Sequence, residues 1–296
     1  MPTAKLRKPD WLKVRFDAGP AYARIDRLHR EEGLHSVCRS AACPNQGECW
    51  SRGIATFLIL GDSCSRDCAF CNVRHGAPAP LDPAEPQRVV AAIAELGLRH
   101  AVITSVTRDD LADGGAAVFA ELTCRLRARV PDCRIELLIP DLGGEWEALA
   151  TLLQALPDVL GHNLETVPRL YPQVRPGASY QRSLWLLAEA RDLAPQLLTK
   201  SGLMLGMGET PAEVLTVCAD LRRAGVDLLT LGQYLAPTRR HHPVQRFVPP
   251  EEFTALRQSF LQLGFSHVEA GPLVRSSYHA DRAFAAASSA PRSTAV

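Results

Sequence analysis

An α/β fold is predicted, in the form of a partial (β/α)6 TIM-type barrel with N- and C-terminal extensions. Three observations lead there. After residue 50, short apolar runs rich in β-branched residues alternate with longer runs of helical periodicity, and they do so six times. Such repetition implies a parallel sheet covered by helices. No Gly-rich dinucleotide fingerprint follows the first strand, and a cysteine motif stands there instead, which favours a barrel over an open doubly wound sheet. Six units fall short of the eight that close a full barrel.

The strands are expected at 56–61, 101–106, 134–139, 159–165, 199–205 and 228–231. Helices are expected at 84–96, 114–129, 145–156, 181–193, 211–224 and 251–263. One helix start is well marked: Thr210-Pro211-Ala212-Glu213 places a hydroxyl at the N-cap, proline at the first helical position and glutamate at the third, a capping box. Gly225 marks its end. Three segments follow: an N-terminal extension over 1–50, a barrel over 51–264 and a C-terminal extension over 265–296. Residues 283–296, rich in Ala, Ser and Thr, are expected to fray.

Bulk composition excludes several classes. The 33 basic and 32 acidic residues nearly cancel, so neither nucleic acid nor an anionic membrane is called for as a partner. No apolar run approaches the ~20 residues of a membrane-spanning helix, and residues 1–10 lack the apolar stretch of a secretory signal. A cytoplasmic location is expected. The nine cysteines are then better read as metal ligands or reactive groups than as disulfides. Six of them fall between positions 38 and 71; Cys124, Cys133 and Cys218 are scattered and are expected to be buried small hydrophobes.

The segment Cys64-Ser65-Arg66-Asp67-Cys68-Ala69-Phe70-Cys71 comes just after the first expected strand. Three thiolates on one short loop can converge on three irons of a cubane. Such a cluster normally takes four thiolates, and with no fourth cysteine nearby one iron stays open to a small molecule. The alternative is structural zinc, which prefers four closed ligands. Upstream, Cys38, Cys43 and Cys49 form a second triad, again without a fourth cysteine beside it.

The spacing and placement of the Cys64 motif, with Phe70 before the third cysteine, resemble the radical S-adenosylmethionine superfamily. The resemblance implies a [4Fe-4S] cluster whose open iron binds S-adenosylmethionine and cleaves it to methionine and a 5′-deoxyadenosyl radical. Taken with Cys38, Cys43 and Cys49, it narrows to the lipoyl synthase family. Matching stretches are Thr104 to Gly115, Asn163-Leu164-Glu165-Thr166, Arg175-Pro176-Gly177-Ala178, Lys200 to Gly206, Gly232 to Leu235 and Arg275-Ser276-Ser277-Tyr278, so residues from about 30 to 280 are covered. This resemblance implies a second, auxiliary [4Fe-4S] cluster on Cys38, Cys43 and Cys49, with Ser277 as its fourth ligand and its sulfide as the sulfur donor. The reaction implied is insertion of two sulfur atoms at C6 and C8 of an octanoyl group on a lysine of a lipoyl carrier domain. The implied partners are the glycine cleavage H protein, 2-oxoacid dehydrogenase E2 subunits, an electron donor such as ferredoxin or flavodoxin, and an iron–sulfur carrier for cluster repair.

Supporting residues are read from position. Asn163 and Glu165, at the end of an expected strand, are candidates for holding the ribose or amine of S-adenosylmethionine. Arg182 is either a partner for its carboxylate or a solvated helix arginine. Arg108, Asp109 and Asp110 either bind cofactor, cap a helix or order a neighbouring loop. Lys200 lies on a strand, where a charge is costly unless paired, and is expected in the polar barrel mouth. Arg239, Arg240, His241 and His242 form a cationic loop, either solvated surface or a contact for an acidic carrier. Two other readings compete: a different radical sulfur-inserting or carbon-skeleton enzyme, which the Arg275–Tyr278 stretch opposes, and a non-catalytic electron carrier, which the chain's length opposes.

Overall fold

Apolar runs and amphipathic runs do become strands and helices in the alternation expected of them. The computed structural model describes residues 7–14, 19–52 and 54–289. Helix α1 (Pro20–Glu31), strand β1 (His35–Ser36) and short helices α2 (Val37–Ser40) and α3 (Gln46–Ser51) form the N-terminal part. Strand β2 (Thr56–Ile59) is followed by a loop holding a small ribbon, β3 (Ser63–Cys64) and β4 (Arg74–His75). The repeating part then runs α4 (Glu85–Leu96), β5 (His100–Ser105), α5 (Ala116–Arg129), β6 (Arg134–Leu138), α6 (Trp146–Leu153), β7 (Val159–Gly161), α7 (Tyr171–Val174), α8 (Tyr180–Leu193), β8 (Leu198–Leu205), α9 (Pro211–Arg223), β9 (Leu228–Gln233) and α10 (Pro250–Gln262). Strand β10 (His267–Gly271) and helix α11 (Ala280–Ser289) end the described chain.

The main sheet has the order β1-β2-β5-β6-β7-β8-β9-β10. Every neighbouring pair from β2 onward is parallel, and β1 pairs antiparallel with β2. The outer strands β1 and β10 do not pair with each other, so the barrel stays open along one side. β2 and β9 are buried along their whole length, as strands covered on both faces must be. At Thr210 the capping box forms as expected, and Gly225 turns left-handed after α9.

Five features depart from the sequence reading, Lys200 among them. The parallel sheet does not stop with the sixth unit, because β10 adds to β9 over five residues. β7 ends at Gly161 rather than 165: Glu165 takes a left-handed conformation with φ 66°, leaving a lone bridge to Leu203. Residues expected to fray form α11 instead. Its Ala280, Ala283 and Ala287 recur at helical spacing and are buried, an apolar stripe that average composition concealed. Residues 290–296 lie outside the described residues. Cys124 is exposed on α5, while Cys133 and Cys218 are buried as expected.

Lys200 is the clearest correction. It sits near the start of β8, hence at the closed end of the barrel rather than its mouth. Its Nζ lies 2.7 Å from Glu136 Oε1, and both residues are 2% exposed. His100 Nε2 lies 3.3 Å from the other Glu136 oxygen. Burial alone would raise the Glu136 pKa, but Lys200 and His100 together hold it below the ordinary carboxylate value. Phe284 of α11 meets the His100 ring edge-on, and Ala287 packs on Val159, Leu198 and Leu228, the first residues of β7, β8 and β9. The C-terminal helix therefore plugs the bottom of the barrel.

Breaking that pair strands a buried charge. Glu136→Gln is expected to cost about 3–5 kcal/mol in urea unfolding, whereas the apolar double variant Glu136→Leu with Lys200→Met should recover most of the loss. Equal destabilisation by both would show that the pairing does not set the cost.

Candidate metal centre

The first cysteine loop leaves the C-terminal end of β2 through a left-handed turn, with φ 67° at Leu60 and 91° at Gly61. The buried Glu85 carboxylate fixes that turn by accepting from Leu60 N (2.7 Å) and Gly61 N (3.4 Å). Gly115 passes so close to Leu60 that a Cβ there would overlap the leucine side chain. Cys64 begins the loop in β3, and its Sγ accepts from Thr107 N at 3.3 Å. Cys71 N donates to Cys68 O at 3.0 Å, closing a turn that carries the other two thiols. Ala69 N donates to Val174 O, seating the loop on α7.

Burial is the first cause of the high thiol pKa values here: it pushes Cys71 up to about 12 and raises Cys68. Cys68 and Cys64 add to the effect on Cys71, so the thiols lie within range of one another's charge. Thiols raised in this way give up their protons to a cationic body placed among them. Among the described residues no three of His, Cys, Asp and Glu come together closely enough for a single metal ion. A cubane takes each thiolate on a different iron, so its ligands need not meet at one point.

The second triad is built the same way. A left-handed turn at Ala42 separates α2 from α3. Cys43 N donates to Cys38 O (3.0 Å), and Cys49 N to Asn45 O (2.8 Å). Burial first, then the neighbouring Cys38 and Cys43, drive Cys49 up to about 12; Cys43 is raised by burial and Cys38, with Arg275 opposing.

The C-terminal stretch crosses this triad. Asn45 Nδ2 donates to Leu273 O (2.6 Å), Tyr278 OH to Glu48 Oε1 (3.2 Å), and Arg52 Nη1 lies 3.1 Å from His279 Nε2. Ser277 Oγ accepts from Thr56 Oγ1 at 2.9 Å. Ser276 Oγ accepts from Asn163 Nδ2 at 2.5 Å, and the same Asn163 amide donates to Glu165 Oε1 at 3.0 Å. Arg275 is within electrostatic reach of both Cys43 and Glu165. Gly232 makes this possible, since any Cβ there would strike Val274 O and Arg275.

Glu165 belongs to the first triad's surroundings. Burial raises its pKa, with Arg175 and Arg275 pulling the other way, and its charge in turn raises Cys68 and Cys71. Arg175 is fixed by Asn163 O (2.9 Å), Leu164 O (3.0 Å) and the Tyr171 hydroxyl (3.0 Å). Phe70 is half-buried against the core. Arg182 is neither free nor isolated: it pairs with the buried Asp141 at 3.3 Å. Asp141 also accepts from Arg66 at 2.7 Å, and Arg66 binds Asp109 through two further bonds. Of the three roles open to the Arg108–Asp110 stretch, ordering the cysteine loop is the one its contacts support. Asp109 grips Arg66 and Ser65 inside the loop, while Arg108 pairs with Asp110 and donates to Leu60 O. His241 and His242 anchor on the carbonyls of Cys71 and Met207, and leave Arg239 and Arg240 exposed.

Residues missed in the sequence are those whose partners are distant. Arg66, Thr56 and Asp141 carry no local signal. Arg175 and Arg275 were visible only inside longer matching stretches. His162 is another. Ile139 O can only accept, so His162 Nδ1 donates to it (2.8 Å) and Nε2 accepts from Ser183 Oγ (2.9 Å). Burial lowers its pKa to about 4.

Two outcomes follow. Below about pH 6.5 the unfolded chain takes up a proton at His162 that the folded chain refuses until about pH 4. Stability from this group is therefore full above pH 6.5 and falls by roughly 3 kcal/mol as the pH drops to 4; His162→Gln should flatten that part of a pH–stability profile. Replacing either Cys38, Cys43 and Cys49 or Cys64, Cys68 and Cys71 by Ala should leave about four irons per chain, against about eight with both triads intact, in a colorimetric iron count.

Residues 58–233 match the Radical SAM superfamily. A lipoyl synthase of Methylococcus capsulatus is 58% identical over 282 residues, covering 95% of this chain and 88% of the relative. Those of Symbiobacterium thermophilum and Roseiflexus sp. are 54% and 53% identical, covering 93% and 95% of this chain and 86% and 93% of theirs. Among solved structures, methylornithine synthase (PylB) aligns with TM-score 0.54 at 16% identity, over 80% of this chain and 73% of its own. HydG, a maturase of the [FeFe]-hydrogenase, aligns with TM-score 0.55 at 12% identity, over 86% and 56%. At such identities the structural likeness speaks for the fold alone.

Proposed function

The chain belongs to the lipoyl synthase family of the radical SAM superfamily, and on that premise we propose how its residues divide the work. It is a radical SAM sulfurtransferase that inserts two sulfur atoms into the octanoyl group of a lipoyl carrier protein, with S-adenosylmethionine and two [4Fe-4S] clusters as cofactors. The target carbons are unactivated methylenes. No side-chain base can deprotonate an alkane, so hydrogen-atom abstraction is the route, and the cofactors supply it. When bound, they furnish a 5′-deoxyadenosyl radical from one site and sulfide from the other.

What the chain contributes is placement and exclusion of water. Cys64, Cys68 and Cys71 hold the cluster that engages S-adenosylmethionine. Asn163 and Glu165, beside that loop, hold the ribose or amine of S-adenosylmethionine. Phe70 packs the loop onto the core. Arg182, a candidate for the cofactor carboxylate, would have to leave Asp141 to reach it. Cys38, Cys43, Cys49 and Ser277 hold the auxiliary cluster. The observation that carries this division is the crossing of residues 273–279. That stretch bonds the auxiliary cysteine helices through Asn45, Glu48 and Arg52, and through Ser276 it bonds Asn163 on the other side. The octanoyl chain then lies between two sites that one peptide holds in register.

The carrier is a glycine cleavage H protein or a 2-oxoacid dehydrogenase E2 subunit, each displaying octanoyl-lysine. Ferredoxin or flavodoxin supplies electrons, and an iron–sulfur carrier rebuilds the auxiliary cluster. Among the described residues no helix is long and apolar enough to cross a membrane. The test is anaerobic: reconstitute both clusters, add S-adenosylmethionine, reductant and an octanoylated carrier peptide, and weigh the peptide. A gain of two sulfurs with 5′-deoxyadenosine formation is expected from the intact chain. Removing Cys38, Cys43 and Cys49 should abolish sulfur gain while 5′-deoxyadenosine still forms. Loss of both together would undo the division of roles.

A further inference from the structure

Ser277 reaches its place through one side chain. Its Oγ accepts from Thr56 Oγ1 at 2.9 Å, and among the described residues it donates to none. Its proton and its remaining lone pair are thus uncommitted. Thr56 is 2% exposed and opens β2, where its backbone is registered against Val102 of β5.

The way Thr56 spends its hydroxyl is unusual in this chain. The buried Thr104, Thr123, Thr199 and Thr230 each donate to a backbone carbonyl. Thr56 donates to another hydroxyl instead, across 221 residues of sequence. Its backbone is tied to the other end of the site. Ser36 Oγ donates to Thr56 O at 3.2 Å, and Cys38 N donates to Ser36 Oγ at 3.2 Å. One run of hydrogen bonds therefore joins the first cysteine of the triad to Ser277 by way of Ser36 and Thr56.

We propose that Thr56 is a positioning residue for the auxiliary centre, holding Ser277 Oγ at the iron it ligates and donating a hydrogen bond to that oxygen once it is bound. This rests on the reading of Ser277 as the fourth ligand. On binding iron, Ser277 releases its proton to solvent and becomes an acceptor only. Thr56, already the donor, needs no rearrangement to keep its bond. Outer partners of this kind fix a ligand's orientation and adjust its electron donation, and donors aimed at ligand atoms raise the reduction potential of a cluster.

The test isolates the auxiliary centre by placing variants in a background where Cys64, Cys68 and Cys71 are Ala. Thr56→Val should release iron to a chelator about tenfold faster, lower the reduction potential and alter the Mössbauer signature of one iron. Thr56→Ser should restore all three. Thr56→Ala removes the same hydroxyl without adding bulk and must reproduce the effect, with urea unfolding confirming that each variant is folded. A folded Thr56→Val or Thr56→Ala protein with unchanged release, potential and signature overturns the proposal. Ser277→Ala separates the two readings. If it leaves the signature unchanged, Ser277 is not the ligand and both readings fall; if it alters the signature while the Thr56 variants do not, only the role of Thr56 falls.

Discussion

The crossing of residues 273–279 over the cysteine-bearing helices α2 and α3 is the constraint on which the site depends. The contacts are hydrogen bonds between partners about 230 positions apart, such as Asn45 with Leu273 and Tyr278 with Glu48. Closing so long a loop has an entropic cost that grows only slowly with length, and it is met when the barrel forms between the two ends. Residues 273–279 follow β10, the strand at one edge of the sheet, and reach Thr56 of β2, next to the strand at the other edge.

Electrostatics follow from that geometry. Arg275 is felt at Cys43 of one set and at Glu165, while Glu165 and Arg175 act on Cys68 of the other. Arg175 and Arg275 both oppose the charge of Glu165, which eases its burial. Desolvation pushes the Cys43, Cys49, Cys68 and Cys71 thiols above their ordinary pKa. Loading a cluster must therefore drive protons off, and binding is coupled to the final packing of both loops. Asp109, Arg66 and Asp141 steady the first loop from the side facing β5 and β6.

The two ends of the barrel have separate tasks. Chemistry is gathered at the strands' C-terminal ends. At the opposite end, Lys200, Glu136 and His100 form a sealed polar knot beneath α11. Lys200 shows why a charged residue in a strand is ambiguous in sequence. Both ends of a barrel interior tolerate a paired charge, and only the partner's position tells them apart.

Local physics determined much of this protein in advance. Short apolar β-branched runs and helical periodicity placed the strands and helices to within a few residues, and the Thr210 capping box and the Cys64 loop lie where local rules put them. The sequence by itself also marked both cysteine triads, because close spacing makes ligand sets visible. Tertiary structure alone decided the rest. It moved Lys200 to the closed end, gave α11 a face to pack, bound Arg182 to Asp141 and brought Thr56 to Ser277. Each of these rests on a partner far along the chain, and a contact between distant residues leaves no periodic trace in either segment.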